Sequence, residues 1–228
     1  MEEGTRIVMV RHGESRAQQL RIVGGHKGCT GLSELGLTQV GTLRDRLAET
    51  GELGDDVVLY SSLMPRAVQT AEILAPALGG VEVHQECGVC EHHPGEGDGI
   101  TWDEFEARYP HPPSGWDPDF RRVPDSESWN EMAARVSGAV DELVAEHPGR
   151  TIVIACHGGT IVQVMIRFLA LDPSIEQGKR AWFSPDNASI TEFRFAANPY
   201  RPGAEPAWEM VRFNDAAHLA GDRSGLVA

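Results

Sequence analysis

The sequence predicts an α/β fold with a mostly parallel central sheet and helices on both faces. Three observations predict it. Runs rich in β-branched residues occur at Arg6 to Val10, Asp56 to Tyr60 and Thr151 to Ala155. The segments between them carry helical periodicity, and 228 residues suffice for a sizeable buried core. Near-continuous apolar strands suit a sheet covered on both sides, because period-two alternation belongs to sheets with one face in water.

The elements follow in chain order. The first strand, RIVMV, passes directly into Arg11-His12-Gly13-Glu14-Ser15. Thr38 to Glu49 is predicted as a helix, since Val40, Leu43 and Leu47 fall on one side. The second strand, DVVLY, leads into Ser61-Ser62, and the helix predicted over Arg66 to Leu78 aligns Ala67, Ala71, Leu74 and Leu78. From about His92 to Pro124 the rhythm breaks, with Gly95, Gly97, Gly99, Pro110, Pro112, Pro113 and Pro118 around one predicted helix, Trp102 to Tyr109. This stretch reads as a cap insertion lying over the sheet, within one domain spanning residues 1–228. Ser128 with Glu131 forms a capping box, and Met132, Val136, Val140 and Leu143 continue that helix toward His147-Pro148. The third strand, TIVIA, runs into Cys156-His157-Gly158-Gly159 and a largely apolar helix to Leu171. A last strand is predicted over Ser189 to Phe195, with no strong pattern from Asn198 onward.

Composition narrows the function. Twenty Lys plus Arg against 34 Asp plus Glu leave a net charge of −14, which repels nucleic acid and anionic membrane surfaces. The first apolar run, Ile7 to Val10, is too short for a signal peptide or membrane span, so a soluble, cytoplasmic protein is expected. Four cysteines are too few for a disulfide scaffold. Cys87, Cys90, His92 and His93 carry Cys-x2-Cys spacing, yet zinc knuckles separate their ligand pairs by a dozen or more residues, so no metal is expected. Trp102, Trp116 and Trp129 offer rings that can stack on a substrate, but Trp102 and Trp129 fall where helices begin and are read first as anchors of the cap.

In open α/β sheets ligands bind beyond the carboxyl ends of the strands. Here those ends deliver Arg11, His12, Arg66 and His157. Two arginines and two histidines in an otherwise acidic protein make a local positive pocket suited to a phosphoryl group.

Val10-Arg11-His12-Gly13-Glu14-Ser15, Ser61-Ser62-Leu63 with Arg66-Ala67-Val68-Gln69-Thr70-Ala71, then Glu91, then His157-Gly158, resemble the histidine phosphatase superfamily. This family is also called phosphoglycerate mutase-like, and the resemblance runs from Arg6 to about Phe195. It implies a phosphatase of histidine acid phosphatase type that hydrolyses a small phosphate ester to inorganic phosphate through phosphohistidine, without metal or cofactor. It makes His12 the nucleophile and Arg11, Arg66 and His157 the phosphate clamp. Glu91 becomes the proton donor, in preference to Glu96 and Asp98. Gln18, Gly25, His92 and Gly158 become substrate-binding positions, with helical amides after Gly158 and Gly159 turned toward the anion.

Three departures from the family pattern stand out. Gln18 occupies the place where many members have a phosphate-contacting Asn, and Gly24-Gly25 stands near the Thr-Gly pair of mutases. Cys156, with Cys29, reads as a small buried hydrophobe. A mutase holds its substrate carboxylate with paired arginines, which Arg121-Arg122 imitates. The cap is short, however, so water reaches phosphohistidine and hydrolysis is expected. The reading from another class is a non-catalytic anion-binding module, against which the full set of reactive residues argues. Oligomeric state stays open, with a homodimer as the working expectation.

Overall fold

The computed structural model describes residues 1–111, 117–171 and 182–220, so Pro112, Pro113 and Trp116 lie outside the described residues. Six strands form one sheet: β1 (Arg6–Arg11), β2 (Val57–Ser61), β3 (Val83–Gln85), β4 (Thr151–Cys156), β5 (Ile190–Ala196) and β6 (Ala207–Asp215). Their spatial order is β3-β2-β4-β1-β5-β6. The first four are mutually parallel, and β5 and β6 add an antiparallel edge.

Alternate residues of each central strand feed two cores. Ile7, Met9, Ile152, Ile154 and Phe193 face helices α5 (Trp129–Glu146) and α6 (Gly158–Phe168) through Met132, Val136, Val140, Ile161 and Met165. Val8, Val10, Leu59, Val153 and Ala155 face α2 (Glu34–Thr50) and α3 (Pro65–Leu74) through Val40, Leu43, Leu47, Ala71 and Leu74. Covering both faces is why these strands read as unbroken apolar runs. Among the described residues no helix is long and apolar enough to cross a membrane.

Local chemistry sets the helix ends. Ser33 caps α2 by accepting from the Gly36 amide, so that helix begins at Glu34, earlier than its apolar face indicates. The capping box of Ser128 and Glu131 starts α5 at Trp129. The helix expected over Arg66 to Leu78 divides, with α3 ending at Leu74 and a 3-10 turn over Ala75–Leu78, where Pro76 supplies no amide for the α-helical ladder.

Strand register positions the site. β1 runs beside β4 with Arg11 opposite Cys156, and the His12 amide donates to the Cys156 carbonyl at 2.9 Å. On the other side of β4, Ser61 lies opposite Ala155, whose carbonyl accepts from the Ser62 amide at 3.0 Å. Three chain segments therefore leave the sheet side by side.

The 92–124 stretch holds a 3-10 turn, Gly95–Gly97, and helix α4 (Trp102–Arg108). Phe105 and Val123 pack on Val23, which follows the single-turn helix α1 (Arg16–Gln19). Backbone bonds link Val23 to Gly99 and Ile100.

Candidate active site

The turn after β1 is fixed by close packing. A Cβ on Gly13 would meet the Gly36 carbonyl oxygen of α2 at 2.5 Å, and one on Gly36 would meet the Glu14 oxygen at 2.0 Å. Only glycines let this turn and α2 approach so closely.

His12 is buried, and its Nδ1 lies 2.6 Å from the Gly13 carbonyl oxygen. A carbonyl only accepts, so Nδ1 carries the proton and Nε2 carries the lone pair. Arg66 Nε donates to that lone pair at 3.0 Å, while Arg66 Nη1 donates to the Gly24 carbonyl at 2.5 Å. Burial, then the Arg66 and Arg11 cations, hold His12 well below the usual histidine pKa, so it stays neutral and nucleophilic.

His157 lies edge-on to His12, with ring centroids 5.1 Å apart, and is fully buried. The Ser62 hydroxyl accepts from the Met64 amide at 3.2 Å and sits 2.6 Å from His157 Nε2. The other ring nitrogen, Nδ1, is buried without a partner among the described residues. Burial, followed by Arg66, also keeps His157 neutral. It does not line the open cavities, and so supports the site from beneath. Arg11 donates to the Pro185 carbonyl, and its Nε has no partner among the described residues.

Of the three candidate acids only Glu91 faces the reactive groups. It lines a cavity of about 280 Å³ with Arg11, His12 and Arg66, and a second of about 360 Å³ with Gly158. Its oxygens accept from the His92 amide at 3.1 Å and the Gly159 amide at 3.0 Å. A Cβ on Gly159 would stand 2.3 Å from Glu91 Oε1, which explains the glycine. The Gly159 amide, expected to turn toward an anion, is taken by Glu91 instead. Asp98 accepts from the Gly25, Lys27 and Gly28 amides at 2.7 to 2.9 Å and so shapes a loop, while Glu96 is exposed.

Gln18 and Gly25 line the first cavity, but the Gln18 amide is engaged. It accepts from the Ser15 amide at 2.9 Å and bonds Asn187 at 3.3 Å. His92 lines the same cavity while its Nε2 donates to the Glu127 carbonyl at 2.7 Å. Cys156 is fully buried, with burial pushing its thiol pKa up, and Cys29 packs with Met64 and Cys90.

Three residues assigned no role from the sequence also build the site. Asn187 donates to the His12 carbonyl at 2.9 Å, and Thr70 Oγ1 accepts from the Gly13 amide at 3.3 Å. Arg135 of α5 donates to the carbonyls of Cys87, Gly88, Cys90 and Glu91 and pairs with Glu127, clamping the turn that bears the acid.

A third cavity of about 390 Å³ adjoins Glu91 and is lined by Trp102, Phe105, Phe120 and Trp129, so these tryptophans face open space as well as anchoring the cap. Arg122 lies over the Phe105 ring, 4.7 Å from its centroid, and pairs with Glu106 at 2.8 Å. Arg121 pairs with Glu131. Both arginines already have a carboxylate partner, and Arg122 also lines this cavity.

Residues 7–202 match the histidine phosphatase superfamily, branch 1. The chain is 29% identical over 168 residues to a metal-independent phosphoserine phosphatase of Arabidopsis thaliana, covering 72% of this chain and 69% of the relative. It is 29% identical over 229 residues to a glucosyl-3-phosphoglycerate phosphatase of Mycobacterium tuberculosis, covering 95% and 97%. A solved structure of a mycobacterial glucosyl-3-phosphoglycerate phosphatase, complexed with VO3, matches with a TM-score of 0.73 and 26% identity over 92% of this chain and 98% of that one. The chain also spans half the length of a bifunctional protein of Mycobacterium tuberculosis, to which it is 30% identical over 190 residues.

Proposed function

The chain belongs to the histidine phosphatase superfamily, and from that premise we propose a metal-independent phosphomonoester hydrolase that works through phosphohistidine at His12. One observation carries the reading. The His12 Nε2 lone pair sits under the Arg66 guanidinium, with its tautomer set by Gly13, in a cavity whose other wall holds Glu91.

In the first step Nε2 attacks phosphorus, the ester P–O bond breaks, and Glu91 in its protonated form gives the leaving oxygen a proton. In the second, Glu91 takes a proton from water as the water oxygen attacks phosphorus; the P–N bond breaks and inorganic phosphate leaves. With His157 packed edge-on against His12 beneath them, Arg66 and Arg11 neutralise charge on the equatorial oxygens, the task a metal performs in other phosphoryl-transfer enzymes. When phosphate arrives, Arg66 Nε exchanges the Nε2 lone pair for a phosphoryl oxygen.

The relatives named above act on phosphoserine and on a glucosylated phosphoglycerate. Here the leaving-group side is aromatic, and Arg121 and Arg122 are already paired. We assign the substrate class as small phosphate esters with an apolar or aromatic face, ahead of free phosphoglycerate. A panel of phosphate esters assayed for released phosphate in the presence of EDTA tests this. Turnover is expected to persist with the chelator and to be faster for aryl esters than for 3-phosphoglycerate. Rapid interconversion of phosphoglycerates, outpacing phosphate release, would assign a mutase, and no turnover of any ester would assign a binding module.

A further inference from the structure

We propose that His26, Cys87, Cys90 and His93 form a tetrahedral site for a divalent transition-metal ion of the zinc class, which ties the acid-bearing turn to the loop after Val23. The ligating atoms of these four residues all lie within 4.8 Å of one another. A tetrahedral zinc bound by two sulfurs and two imidazole nitrogens needs ligand-to-ligand edges of about 3.3–3.8 Å. Closure around an ion therefore takes shifts of about 1 Å or less, within reach of side-chain rotation. Two thiolates and two imidazoles in that geometry select zinc over oxygen-seeking cations.

The surroundings fit a ligand set better than a chance cluster. His93 Nε2 is buried without a partner among the described residues, while its Nδ1 lies 3.9 Å from a Glu127 carboxylate oxygen. A carboxylate behind the ring and a free nitrogen in front is how metal-bound imidazoles are commonly held. The His26 ring faces it at 5.4 Å between centroids. Cys87 and Cys90 stand on one tight turn, closed by the Cys90 amide donating to the Cys87 carbonyl at 2.9 Å. Gly88 seats that turn flush on α5, where a Cβ would meet the Ala139 Cβ at 2.2 Å. Arg135 fixes its carbonyls and Asp98 fixes the loop bearing His26, so both halves are preorganised.

Spacing along the chain concealed the set. The fourth ligand is His26, from a distant loop, and not His92, whose Nε2 serves the Glu127 carbonyl. Binding converts two thiols to thiolates, forms two metal–sulfur and two metal–nitrogen bonds, and releases two protons to water. None of the four residues lines the reactive cavity, so the ion is structural and the proposal is independent of the phosphatase reading.

The test uses the full chain, reduced, stripped with a chelator and titrated with cobalt(II), then zinc. One equivalent of cobalt is expected to give the intense visible bands of tetrahedral coordination with a thiolate charge-transfer band, which zinc abolishes. His26→Ala and Cys87→Ser alter exposed residues and should each weaken binding by about 10-fold or more with an unchanged far-UV spectrum. A reduced native chain that binds no stoichiometric tetrahedral cobalt overturns the proposal. So does a spectrum that survives the double variant, or a Cys87–Cys90 disulfide that takes up no ion once reduced. Turnover of p-nitrophenyl phosphate, read in parallel, reports on the phosphatase assignment alone.

Discussion

Strand β1 begins at Arg6 and ends at Arg11, and the two arginines meet opposite fates. At the beginning, Arg6 pairs with Glu192 at 2.8 Å, Arg212 joins Glu192, Glu52 and Asp215, and Arg46 joins Glu52 and Asp215. At the far end, Arg11 and Arg66 bond the carbonyls of Pro185 and Gly24 and the His12 ring, with no ion pair among the described residues. Burial pushes the Arg11 pKa down against the pull of the Glu91 carboxylate, with Arg66 adding to the fall, whereas hydrogen-bonded carboxylates hold that of Arg46 up. Paired cations consume their field within the fold. Unpaired ones keep a positive potential that an incoming phosphoryl group relieves, which is how an acidic protein attracts an anion to one place.

Removing an unpaired cation should therefore affect rate, and removing a paired one stability. Among the arginines the largest effect is expected for Arg66→Ala, with kcat/KM for p-nitrophenyl phosphate falling by about 10²–10³. Its Tm should move by less than about 3 °C, because the cation makes no ion pair to lose. A large fall in Tm with modest loss of rate would place Arg66 with the structural arginines.

Glu91→Gln sharpens the contrast within the site. Alkyl phosphates need their leaving oxygen protonated and should slow by about 10² or more, whereas p-nitrophenyl phosphate should slow by only a few-fold. Equal losses on both would move the acid away from Glu91.

The paired network gives the smaller effect, on folding. Arg212→Met leaves Glu192, whose side chain is 5% exposed, with Arg6 alone. A loss of about 2 kcal/mol and a Tm drop of about 4–8 °C are expected, with kcat unchanged. Acid should expose the same network. Glu52 and Asp215 have folded pKa values below their unfolded ones, so their contribution is complete above about pH 4 and disappears as pH falls through the depressed values. His12 and His157 act with the same sign from about pH 6.5 downward, since the unfolded chain binds their protons first. Urea melts of both chains from pH 7 to pH 3 check this. The native chain should lose more stability than Arg212→Met below about pH 4.

What the sequence made legible follows the same division. RIVMV, DVVLY and TIVIA announce themselves because each is buried on both faces, and the residues just beyond them include His12 and His157. Ser128 with Glu131 marks the start of α5 through one local spacing. Edge strands were harder. β3 has only three residues, and β6 alternates half-buried Trp208, Met210 and Arg212 with exposed positions against a bulged register on β5. Asn187, Asp98 and Arg135 act on backbone amides or carbonyls far away in sequence, and no spacing encodes such partners. The separation between His26 and Cys87 hid a ligand set for the same reason.

In the proposed reaction the unpaired cations hold a phosphoryl group on His12 Nε2. Rapid mixing with a phosphorus-labelled aryl phosphate, quenching in alkali and mapping the label tests it most directly. An acid-labile, alkali-stable phosphoryl group on His12, absent from His12→Ala together with turnover, is the expected result. Label on a serine or cysteine, or undiminished turnover in His12→Ala, would contradict it.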